Sequence, residues 1–156
     1  MKKQQRGFSL IELLIVVAII LIIAAIAIPN LIKSKMAANE SGAAGTVRTI
    51  NTGEATYQSL CPQIGYSATL NELNTGTICA GGAGIIDVVL ATGTKSGYTF
   101  KETGVAAAGL NTTYTDTATP ITVGTSGQRM FCSDQTNVIY FDPAGAACTN
   151  ASTPLQ

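Results

Sequence analysis

Glu12 and the four cysteines Cys61, Cys79, Cys132 and Cys148 are the residues whose type and setting point most directly to chemistry. Glu12 lies inside an apolar segment and is followed by Leu13 to Ile28, a run with no polar side chain. A carboxylate in such a layer costs roughly 2.5–3.5 kcal/mol on insertion scales, less near the edge, and calls for a partner. The cysteine gaps of 18, 53 and 16 residues contain no C-x-x-C knuckle, and the chain has no histidine to complete a zinc site. Paired oxidation is the alternative chemistry, and four cysteines leave three connectivities open. Cys61–Cys79 with Cys132–Cys148 is preferred, because each bridge closes a local loop. One would pin a helix end and the other would tie the C-terminal tail to a strand, each stabilising by roughly 3 kcal/mol in the chain-entropy model.

Nothing else assembles into a catalytic centre. Without histidine the serines lack the usual base of a triad. Gly93-Thr94-Lys95-Ser96 echoes the end of a phosphate-binding loop but lacks the glycine before the lysine. Gly82-Ala83-Gly84 has no third glycine at dinucleotide spacing. Asp116, Asp134 and Asp142 form no dense D-x-D loop and read as scattered surface carboxylates rather than a calcium site. Asn39, Asn111 and Asn150 head glycosylation sequons, which carry little weight here. Charged residues make up 12%, hydrophobic ones 46%, and net charge is zero, which excludes charge-driven disorder. Residues 61–156 contain only Lys95, Lys101 and Arg129 as bases, so no basic patch for nucleic acid forms. The expectation is a non-enzyme with no catalytic residues, no cofactor and no metal.

The elements that would position Glu12 and the cysteines follow from pattern. Residues 1–7 carry Lys2, Lys3 and Arg6 without an acidic residue. Phe8 to Ile28 would span about 31 Å as a helix, the thickness of a bilayer core. The basic start belongs on the cytoplasmic side, which places everything after Pro29 outside the cytoplasm, where disulfides persist. A secretory signal cut after Ala27, releasing a soluble binding protein, fits the Ala25-Ile26-Ala27 triplet. However, the apolar run exceeds the ~7–15 residues of a signal core, and Glu12 has no use there. A lipoprotein signal is excluded, because no cysteine precedes residue 61.

After Pro29 a helical pattern continues to about Leu60. Ala43, Val47, Ile50, Glu54, Tyr57 and Cys61 follow i, i+3, i+4 spacing as a mostly apolar stripe. Gly42, Gly45 and Gly53 weaken it by about 1 kcal/mol each relative to alanine, so it needs a sheet against the stripe. Pro62 stops it, by disfavouring helical geometry at Cys61. Residues 61–96 read as a loop with short elements, including the apolar run Ile85 to Leu90. Strand-like segments follow at Gly97–Thr103, Thr112–Thr119, Gln128–Ser133 and Val138–Phe141, between glycine, proline and aspartate turns. Tyr98, Phe100, Tyr114, Phe131, Tyr140 and Phe141 lie in these segments and read as core. The fold class is α+β: a long N-terminal helix packed against a C-terminal antiparallel sheet of about four strands.

The run Arg6-Gly7-Phe8-Ser9-Leu10-Ile11-Glu12, with the apolar stretch ending at Pro29, closely resembles the N-terminus of type IV pilins and pseudopilins. The resemblance is contiguous over the leader and the apolar stretch and looser over the head. It implies cleavage between Gly7 and Phe8 by a prepilin peptidase, N-methylation of Phe8, and pairing of Glu12 with the terminal amine of a neighbouring subunit. It also implies a homopolymer of identical subunits, dependence on pilus assembly machinery, and residence in inner-membrane lipid before export into a surface fibre. Adhesion, twitching motility and DNA uptake are the functions of such fibres; a type II secretion pseudopilin is the alternative. The organisation implied is a leader at 1–7, an assembly helix at 8–29 and a head at 30–156, the head comprising a helix half 30–60, a loop 61–96 and a sheet with tied tail 97–156. One departure stands out: no glycine interrupts Phe8 to Ile28, so Pro29 alone must supply any helix break.

Overall fold

The structure, a computed structural model, describes residues 8–75, 84–107 and 109–155. Its first element, α1, runs from Leu10 to Leu60 over 51 residues, with Pro29 inside it. In the single subunit α1 is continuous through Pro29. Proline removes one backbone donor, yet the surrounding turns stay closed: Asn30 Nδ2 donates to the Ile26 carbonyl at 3.1 Å and Ser34 Oγ to the Asn30 carbonyl at 3.0 Å. Further along, Thr46, Thr52 and Thr56 donate back to the carbonyls of Gly42, Arg48 and Thr52. These bonds supply polar side chains with partners within the helix itself. The helix ends where Pro62 forbids another turn, after the Cys61 amide donates to the Tyr57 carbonyl at 2.8 Å.

Two compact units divide between Ser34 and Lys35, within α1. The first, over its described residues 8–34, is helix with no buried side chain. The second holds the core. There the six positions of the stripe, Ala43, Val47, Ile50, Glu54, Tyr57 and Cys61, are all buried. Gly53 on the same stretch is tolerated for a reason: a Cβ there would lie 3.3 Å from Ile85 Cγ2 and 3.4 Å from Ile86 Cγ2. The missing side chain lets this connecting segment approach the helix, which offsets part of the cost in helix propensity.

Opposite the stripe lies an antiparallel meander of six strands in sequence order, two more than expected. These are β1 (Thr94–Lys95), β2 (Tyr98–Ala107), β3 (Leu110–Pro120), β4 (Met130–Asp134), β5 (Ile139–Asp142) and β6 (Thr153–Pro154). The two unforeseen strands, β1 and β6, are two residues long, too short for any alternation to show. β1 is set by a two-residue hairpin loop, with Ser96 at φ 50° and Gly97 at φ 78° joining the paired Lys95 and Tyr98. Two successive positive φ values match the twist of flanking strands, and glycine at the second position adopts one freely. Two short helices, α2 (Leu70–Thr75) and α3 (Val88–Ala91), occupy the region read as loop. They bury Leu73 and Leu90 completely.

The inward face of the sheet presents Tyr98, Phe100 and Glu102 from β2, Tyr114, Asp116 and Ala118 from β3, and Phe131 and Ser133 from β4, all buried. Tyr140 and Phe141 are only partly buried. Asp116 corrects the sequence reading, because this residue, taken for a surface carboxylate, is completely buried. It shares strand parity with Tyr114 and Ala118, and period-2 alternation carries it inward with them.

Candidate functional site

The first unit is built to be covered. From Phe8 to Leu31 no apolar side chain is buried, and Phe8 is 85% exposed. Leu10, Leu13, Leu14, Val17, Ala18 and Leu21 recur at helical spacing and line one apolar strip. α1 is the one described helix long and apolar enough to cross a membrane. An apolar surface of this extent is stable only against lipid or protein.

Glu12 is the acidic residue of the first turn of α1. Its Oε2 accepts a hydrogen bond from the Ser9 backbone amide at 3.0 Å. Ser9-x-x-Glu12 is thus half of a capping box: the carboxylate satisfies one of the amides that a helix start leaves without a partner. An acid there also suits the positive end of the helix dipole. The spacing was visible in the sequence, but its capping role was not drawn from it. Among the described residues Oε1 has no hydrogen-bond donor, so the carboxylate can accept a second, external one. Phe8, the residue expected to carry the new amine, sits one residue before Ser9 in an exposed position. Gly7 and the basic leader lie outside the described residues.

In the second unit Cys132 on β4 is bonded to Cys148, with Cα atoms 5.7 Å apart. The bridge encloses β5 and holds the tail from which β6 arises, so it tethers the far edge of the sheet. Cys61 is disulfide-bonded at the end of α1. The expected Cys61–Cys79 bridge falls on Cys79, which lies outside the described residues. Asp134 and Asp142 serve turns: Asp134 Oδ1 accepts from the Thr136 amide at 2.9 Å, and Asp142 Oδ2 from the Ala146 amide at 2.8 Å.

A long-range clamp escaped the sequence reading. Glu40 on α1 accepts from the Gln128 amide at 2.8 Å, the Arg129 amide at 3.2 Å and Arg129 Nε at 2.7 Å. Burial alone would raise the Glu40 pKa, but these donors outweigh it and hold the carboxyl below its ordinary value of 4.5. The Arg129 guanidinium also lies over the rings of Phe131 and Phe141, at 5.5 and 5.4 Å from their centroids. The clamp therefore ties the helix to the entry of β4. No pattern in the sequence links two residues 89 apart.

Comparisons with known proteins bear on the site as follows. Residues 2–28 match the family model described as the prokaryotic N-terminal methylation motif. The chain is 30% identical to the fimbrial protein EcpC of Eikenella corrodens over 164 aligned residues, covering 99% of this chain and 97% of that protein. It is 48% identical over 56 residues to the type IV major pilin protein PilA of Myxococcus xanthus, covering 36% of this chain and 26% of that protein. It is 54% identical over 39 residues to the type IV wide pilus major component PilA4 of Thermus thermophilus, covering 25% of this chain and 30% of that protein. No solved structure matches the chain.

Proposed function

The chain belongs to the type IV pilin family, and from that premise we propose that it is stored in the inner membrane and polymerised through its N-terminal helix into a surface fibre. Before assembly, residues 8–29 cross the membrane with the N-terminus cytoplasmic. A prepilin peptidase cuts between Gly7 and Phe8, and Phe8 is N-methylated. The assembly machinery then lifts the subunit into a homopolymer used for adhesion, twitching motility or DNA uptake. The relatives' names, a major pilin, a wide-pilus major component and a fimbrial protein, support a pilus over a secretion pseudopilus.

The observation that carries this reading is the placement of Glu12. It is the one ionisable side chain between Phe8 and Ile32, a stretch in which no side chain is buried. Among the described residues its carboxylate is engaged through one oxygen only. Cleavage before Phe8 creates a cation, and the remaining oxygen can accept it from a neighbouring subunit. Misregistered helices would leave both charges unpaired in an apolar layer, so the pair selects one axial stagger. Loss of one member of a buried pair typically costs about 3–5 kcal/mol.

Glu12→Leu provides the test. The variant should insert and be cleaved normally, since the change removes an insertion penalty. It should nevertheless be largely missing from the sheared fibre fraction while accumulating in membranes. A parental yield of fibres from Glu12→Leu would refute the assembly role.

A further inference from the structure

The centre of the second unit contains three carboxyl groups and no counter-charge. Glu54 from α1, Glu102 from β2 and Asp116 from β3 are all buried, and among the described residues no lysine or arginine is buried with them. Glu102 and Asp116 are direct cross-strand partners on the inward face, an arrangement that like charges destabilise.

Hydrogen counting shows how the cluster is held. Ser67 Oγ lies 2.6 Å from Glu54 Oε1, 2.5 Å from Glu102 Oε1 and 3.3 Å from the Thr69 carbonyl oxygen. A hydroxyl has one hydrogen to donate. At least one carboxyl group must therefore be an acid that donates to Ser67. Glu54 Oε2 also accepts from the Ser67 amide at 2.9 Å. Burial and the adjoining Glu54 carboxyl raise the pKa of Glu102, which makes Glu102 the acid. Its other oxygen, Oε2, has no hydrogen-bond partner, and neither oxygen of Asp116 has one. At fully buried Asp116 the backbone amides of Asp116 and Ser133 favour the charged form, but burial outweighs them and favours the neutral acid.

The remaining neighbours supply no positive charge either. From α1, Tyr57 Oη is buried without a partner, and Asn51 donates to Ser133 Oγ on β4 at 2.8 Å. Tyr114 Oη on β3 donates to Asn51 Oδ1 at 3.1 Å, and its ring meets that of Tyr66 with centroids 4.9 Å apart. Glu72 on α2 and Asp134 on β4 add negative fields at Tyr57 and Asp116 respectively.

We infer that Glu102 and Asp116, packed beside Glu54, form a proton-holding cluster that makes the head a pH-responsive module, locked while these two buried carboxyl groups retain protons and loosened as alkaline conditions remove them. Burial is the largest cause of retention at both acids, followed at Glu102 by the hydrogen bond and charge of Glu54. Glu102 is pushed far above the ordinary carboxylate range and Asp116 to about 7. Both values exceed the ordinary carboxylate range of the unfolded chain. Their stabilisation is therefore complete below that range and is lost as pH rises towards the folded values.

The test uses the full chain in detergent micelles, with the folded-to-unfolded ratio of the head followed by the near-ultraviolet signal of its tyrosines. Each proton held only in the folded state lowers that ratio about tenfold per pH unit. The parent should lose about a hundredfold per unit between roughly pH 5 and 7, while both acids hold protons, and about tenfold per unit above it. Glu102→Gln keeps a neutral donor at Ser67 and should remove one tenfold step per unit throughout. Asp116→Asn should remove the extra step below pH 7 only. A parent whose stability stays flat or rises over this range overturns the proposal, as does Glu102→Gln with the parental slope. Calcium chloride that restores the alkaline parent but not Glu102→Gln would also overturn it, by showing that the cluster takes a metal rather than protons.

Discussion

Removing the Glu40 carboxylate should unfasten α1 from the start of β4 without touching the apolar core. Glu40→Ala deletes three hydrogen bonds to one ionised acceptor, two from backbone amides and one from Arg129 Nε. Bonds to charged groups contribute about 1.5–3 kcal/mol each, which would set an upper sum well above any plausible loss. Two discounts apply. The Arg129 amide bond is long at 3.2 Å, and the Arg129 side chain is 38% exposed, so water replaces much of what its guanidinium loses. The expected net cost is about 2–3 kcal/mol, or a fall of roughly 10 °C in Tm for a unit of this size. Glu40→Gln keeps one acceptor oxygen but turns an amide towards the guanidinium, so about half that cost is expected. Because Glu40 is held below its ordinary 4.5, its contribution is present above that value and is lost as pH falls through the folded one. Glu40→Gln should abolish this acid-side loss. Urea unfolding of parent and variants at neutral and acid pH measures both effects. A Glu40→Ala variant within about 0.5 kcal/mol of the parent would mean that solvent substitutes fully for the clamp, and the reasoning would fail.

The tail of the head offers two sharper perturbations. Replacing Cys132 and Cys148 together by serine should lower stability by roughly 3 kcal/mol through loss of the closed loop, read by urea unfolding under oxidising conditions; an unchanged midpoint would contradict it. Gly127→Ala would place a Cβ 2.7 Å from Tyr98 Cζ, against a fully buried ring whose hydroxyl donates to the Arg129 carbonyl. A cost of about 1–3 kcal/mol with a changed near-ultraviolet tyrosine signal is expected, and a parental spectrum with parental stability would refute it.

The sequence by itself determined whatever depends on neighbours along the chain. The exposed N-terminal part of the helix and its single carboxylate were legible because charge and hydropathy are read along contiguous residues. The six-position stripe from Ala43 to Cys61 was legible because helical periodicity is local, and all six positions are buried. The four long strand segments could be read for the same reason, since turn residues flank alternating runs. Tertiary structure decided the rest. β1 and β6 exist only because a longer neighbour presents free backbone groups to pair with. The Glu40–Arg129 clamp depends on how the helix lies over β4, which no local pattern encodes. The parity of Asp116 with Tyr114 and Ala118, and of Glu102 with Tyr98 and Phe100, was a legible hint that both acids point inward. What parity could not supply is the register that sets Glu102 opposite Asp116, or the helix placement that brings Glu54 to Ser67. Pairing register is a property of two strands together, and an acid's protonation follows from the field and solvent left around it once every layer has closed.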